Sequence, residues 1–122
     1  MNPLGILLIS GGHERAHYAL VLATAAAALG RPVTLFATNA GLRLLLADQP
    51  LEADPREATL AAAGVAGIAI LLDAAVELDV ALWACEAGLH AEGLQGAPLR
   101  NGVEVTGAVS FLTTATGQVM TL

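Results

Sequence analysis

The strongest constraint on this chain is the order of its first two apolar runs and what separates them. Leu4 to Ile9 is a short run rich in Ile and Leu that ends in Ser10-Gly11-Gly12, the pattern of a strand feeding a tight turn. From His13 the period becomes helical and alanine-rich and continues to Leu29, with Gly30 as a stop and Pro32 just beyond. Val33 to Thr38 is the next strand, ending at Asn39-Ala40-Gly41. Two strands joined through a helix of about 17 residues cannot form a hairpin, so they pair in parallel through a right-handed crossover. Parallel sheets are covered on both faces, which places the chain in the α/β class.

The rest of the sequence continues the alternation. Gly41 to Ala47 reads as a short helix, and Asp48 to Arg56, with two prolines and three acidic residues, as a polar mobile loop. Ala58 to Ala63 fits a helical turn, and Gly64 to Asp79 a helix packed on the sheet, with Ile68 to Leu72 also compatible with a strand. Val80 to Ala84 has the length and apolarity of a buried strand, and the residues from Glu86 to Leu94 fit a short helix closed by Gly93 or Gly96. After a turn at Pro98 to Gly102, Val103 to Thr106 reads as a fourth strand, Ala108 to Ala115 as a helix and Gln118 to Leu122 as a fifth strand. The expectation is one domain over residues 1–122, a three-layer α/β/α sandwich around a five-stranded, mostly parallel sheet.

Composition narrows the partners. The chain has no lysine, and five arginines face eleven acidic residues for a formal charge of -6, so phosphate neutralisation has no basic cluster to draw on and nucleic acid is excluded as a partner. Apolar residues make up 56% and charged residues 13%, too little charge to cover the surface, which predicts that an apolar face is buried in an oligomer. The uncharged stretches Ala16 to Gly30 and Ala58 to Leu72 are shorter than the ~20 residues of a membrane span. A single cysteine forms no internal disulfide, and Met1 to Leu4 lacks the positive region of a signal peptide; the expected location is cytoplasmic.

In a parallel sheet the strand ends at Ser10, Thr38, Cys85 and Thr106 share one edge, where ligand sites of such folds lie. Cys85, at a strand-to-helix junction, stands near unpaired helix-start N–H groups that favour a thiolate, whereas Glu86 beside it works against one. The alternative is a small buried hydrophobe. Ser10, Gly11 and Gly12 ahead of a helix suit an anion, or are a plain turn, and Asn39 carries the same two readings. His13 and His17 share a helix face, as a proton shuttle or as part of a polar, solvated first turn, and two histidines alone make no metal site. His13 is the better candidate base for Cys85, because His90 turns away from it on its own helix. No metal and no cofactor are called for.

The segments Leu4 to Gly12, Gly30 to Gly41, Leu82-Trp83-Ala84-Cys85 and Gly102 to Gly107, in this order and spacing, resemble the DsrE/DsrF-like family over nearly the whole chain. The resemblance implies a five-stranded parallel sheet between helix layers, and assembly as a homo- or hetero-oligomer: dimer, trimer or hexamer. It also implies that Cys85 carries a persulfide received from a sulfur donor and passed to an acceptor protein, as in sulfur-relay members. Two functions follow as expectations. One is a small sulfur carrier, or sulfurtransferase-like subunit, built on Cys85, with Ser10, Gly11, Gly12, His13 and Asn39 shaping the pocket. The other is a non-catalytic oligomeric module for a small anion or nucleotide fragment, in which Cys85 is packing.

Overall fold

A computed structural model describes all 122 residues. Its sheet holds five strands, β1 (Leu4–Leu8), β2 (Val33–Ala37), β3 (Ala81–Cys85), β4 (Glu104–Thr106) and β5 (Gln118–Thr121). Their spatial order is β4-β3-β2-β1-β5, and every pair is parallel. Five helices connect or flank them: α1 (His13–Ala28), α2 (Arg56–Ala62), α3 (Ile68–Glu77), α4 (Glu86–Ala91) and α5 (Ala108–Thr114). The expected α/β/α sandwich is present.

Strand order dictates which face each helix covers. The chain steps β1, β2, β3, β4 in one direction across the sheet, so right-handed crossovers put α1, α3 and α4 on one face. It then returns past all of them to lay β5 beside β1, and the same handedness puts α5 on the other face.

The first face carries the main core. Alternate strand residues Leu4, Ile6, Leu8, Leu35, Leu82 and Ala84 meet α1 through Ala16, Ala19, Leu20 and Ala23, and α3 through Ile68 and Leu72. The alanine row explains why α1 seats close to the strands and buries so many positions. Each fully buried Ile or Leu stabilises the fold by roughly 1.5–3 kcal/mol relative to exposure.

The second face is thinner. It holds Phe36, Cys85, Phe111 and Ala115, with Leu7 and Trp83 packed against them. Phe111 is the one buried residue of α5, stacked on Phe36 with centroids 4.9 Å apart. Gly5 makes this seat: a Cβ there would lie 2.5 Å from Ala115 Cβ and 2.9 Å from Phe111 Cζ. Val109 and Leu112 on the outer side of α5 are 81% and 64% exposed.

Two expectations need correction. The short helix after β2 is a 3₁₀ segment, Asn39–Leu45, folded tightly over the end of β1: the Gly41 N–H donates to the Ile9 carbonyl, and Gly41 has no room for a Cβ beside the Leu8 carbonyl. The segment read as a mobile loop contains a 3₁₀ turn, Pro50–Ala53, and Leu51 within it is 2% exposed, so the main core anchors it. Ile68 to Leu72, compatible with helix or strand by pattern, lies wholly in α3, as the helical reading has it. The α4 helix ends at Gly93, whose φ of 67° places it in the left-handed region that terminates helices.

Candidate functional site

Cys85 is the last residue of β3 and the N-cap of α4. Its backbone is still extended, so the side chain turns back over the first turn of α4, and Sγ accepts the Gly88 N–H at 3.4 Å. This is the capping arrangement that Ser or Asp usually supplies, made by sulfur. Gly88 allows it because α4 begins hard against the end of β2: a Cβ on Gly88 would collide with Thr38 Oγ1 and lie 2.9 Å from the Asn39 amide nitrogen. Thr38 in turn donates its hydroxyl to Asn39 Oδ1 at 3.0 Å, and Asn39 takes a φ of 52° to start the 3₁₀ segment.

The placement of Cys85 follows a topological rule. Adjacent strands β3 and β4 send the chain to opposite faces, β3 into α4, whose Leu89 joins the main core, and β4 into α5, whose Phe111 joins the second cluster. The crevice where neighbouring connections diverge is where ligands bind in open parallel sheets. Cys85 and its register partner Thr106 flank it.

Ser10, Gly11 and Gly12 lie past the end of β1, Asn39 lies past β2 and Cys85 ends β3, so the structure brings these residues to one edge of three adjacent strands. Gly11 packs against Ala40, where its Cβ would lie 2.7 Å from the Ala40 Cβ, and its carbonyl accepts from Arg43 Nη1 at 2.8 Å. Gly12 is the N-cap of α1 with no side-chain cap and open space around it. Cys85 itself is 8% exposed, and none of the chain's four cavities includes it.

His13 follows Gly12 at the start of α1, but its side chain is buried against Glu57. It is 4% exposed, with Nε2 2.6 Å from Glu57 Oε2, and it stacks on His17, itself 6% exposed, with ring centroids 5.7 Å apart. His17 donates through Nε2 to the Ala66 carbonyl at 2.8 Å. The solvated first turn read from the sequence is therefore a buried pair on α1, which covers the opposite face of the sheet from the Cys85 cluster, and the His13 ring pairs with Glu57 rather than with Cys85. The structure leaves that sulfur without a histidine partner: His90 is exposed, with Nδ1 2.6 Å from Gln95 Nε2, and turned away as expected. The sequence reading missed Gly88 and Glu57, and it placed Thr38 on the edge without its contact to Gly88. The Cys85-x-x-Gly88 spacing was a usable signal, since an N-cap side chain reaches the N–H three residues on.

No helix of the chain is long and apolar enough to cross a membrane. No curated protein has a significantly similar sequence. Among solved structures, the YchN protein from E. coli superposes with a TM-score of 0.75 at 21% identity, covering 100% of both chains. A protein of unknown function from Methanobacterium thermoautotrophicum, MTH1491, superposes with a TM-score of 0.63 at 18% identity, again over 100% of both. At these identities the two likenesses establish the fold. The family model of the DsrE/DsrF-like family matches residues 4–117, nearly the full length, and the chain belongs to that family.

Proposed function

We propose that this protein is a small cytoplasmic sulfur carrier, oligomeric in its working form, that holds a persulfide on Cys85 and passes it to a partner protein. The observation that carries the reading is the position of Cys85 at the divergence of β3 and β4, with the Gly88 N–H on its sulfur. The Cys85 thiolate attacks the outer sulfur of a donor persulfide, the donor's S–S bond breaks, and the donor leaves as a thiolate. A thiolate on the acceptor then attacks the outer sulfur now on Cys85 and releases Cys85 as thiolate. Sulfur moves with no net oxidation at either step. Because Cys85 is 8% exposed and belongs to the same buried cluster as Phe111, loading requires movement of that cluster or docking of the donor at that edge. The exposed Val109 and Leu112 suit contact with another subunit.

Mass spectrometry of the reduced protein after incubation with a sulfane-sulfur donor tests the reading. A reducible gain of sulfur on the wild type, absent from Cys85→Ser, is the expected result; no gain on folded wild type would overturn it. The burial of Cys85 favours a second reading, a non-catalytic module for a small anion at Ser10, Gly11, Gly12 and Asn39, in which the cysteine is packing. That reading predicts an inert thiol and anion binding that survives Cys85→Ser.

A further inference from the structure

The α2 helix has little apolar attachment to the body of the protein. Leu60, 9% exposed, is its one buried residue, and no other element packs extensively on it. A groove of about 730 Å³ separates α2 from α3, lined by Ala58 and Ala61 on one side and Ala69 and Ile70 on the other. The segment enters at Pro55 and leaves through Gly64, which has a φ of 72°, and Gly67.

What holds it is polar. The Glu57 carboxylate sits 2.6 Å from His13 Nε2 and accepts the Ile68 N–H, at the start of α3, at 3.2 and 3.3 Å. It occupies the space where a Cβ on Gly67 would stand, 2.5 Å from Glu57 Oε1. The second anchor is His17 Nε2 on the Ala66 carbonyl. The remaining charge contact, Arg56 to Glu14 at 3.8 Å, lies on the surface and contributes little. One carboxylate thus ties three helices together, and His13 Nδ1, buried without a hydrogen-bond partner, marks the polar cost of the arrangement.

We infer that residues 56–67 form a flap, latched to α1 and α3 by Glu57, that unfolds locally as one unit while the sheet stays intact. Stability within a fold is distributed in such units, and elements with few buried apolar contacts open first. Opening exposes His13, His17 and the first turn of α3. The flap lies on the opposite face of the sheet from Cys85, so its movement is separable from any sulfur chemistry.

Hydrogen exchange of the full chain tests the inference. The amides of Ala63, Gly64 and Val65, all bonded within the flap, are expected to exchange faster than those of Ile6, Leu35 and Leu82 and to respond weakly to low urea. In Glu57→Gln the flap amides are expected to exchange about tenfold faster, with the strand amides unchanged. Flap amides that follow the strand amides through the urea series of the wild type would overturn the inference, and so would equal acceleration of both sets in the variant. The wild-type series decides alone should Glu57→Gln not fold.

Discussion

Replacing Phe111 with alanine separates stability from access to the cysteine. Phe111 is 3% exposed and is the one buried side chain of α5. Truncating a buried phenylalanine costs about 3–5 kcal/mol, and its stacking on Phe36 accounts for about 0.5–1.5 kcal/mol beyond area burial. Most of that loss falls on the docking of α5, because Gly5 beneath it offers no side chain to fill the gap. Cys85 lies in the same cluster, and the expectation is that a reagent reaches Sγ once α5 lifts. Lowering the opening free energy by about 3 kcal/mol speeds that step on the order of a hundredfold. The assay pairs urea unfolding with the rate at which a thiol reagent modifies Cys85 in buffer. A variant that is destabilised yet reacts at the wild-type rate would show that α5 does not cover the sulfur. A stability loss under about 1 kcal/mol would show that Phe111 is not the anchor.

Other substitutions test the remaining contacts. Gly88→Ala drives a Cβ into Thr38 and Asn39 and is expected to cost about 1–3 kcal/mol in urea unfolding. His13→Ala leaves the Glu57 carboxylate without its 2.6 Å partner, and a loss of about 1–3 kcal/mol in the same assay is expected. Asp79 holds a φ of 61° after α3, so Asp79→Gly is expected to stabilise the protein by a few tenths to about 1 kcal/mol, seen as a higher urea midpoint. Val109→Glu with Leu112→Glu, both on exposed positions of α5, is expected to dissociate the proposed oligomer in sedimentation without loss of helix content.

The strands and the parallel order were legible because each strand is a dense apolar run and each connection is long enough to demand a crossover. The edge that gathers Ser10, Asn39 and Cys85 followed from that order alone. What was hidden depended on contacts distant in sequence. Nothing near His13 announces burial; its partner Glu57 is 44 positions away in a segment that reads as helical turn and loop. Leu51 is a single leucine among prolines and acids, yet the space under the 3₁₀ segment takes it in. The role of Gly5 is invisible without α5 above it, since a glycine in a strand reads only as a weak position.

The seat of β5 beside β1 also shapes how the chain reaches this fold. As the polypeptide emerges from the ribosome, β1, α1 and β2 can associate early, and β3 and β4 extend the same side one after another. The other flank of β1 stays unpaired until the last strand appears, a row of free N–H and C=O groups next to the apolar patch of Leu7, Phe36 and Trp83. During that interval the nascent chain has an open, sticky border that the finished protein conceals, and conditions that delay the closing strand favour aggregation over folding.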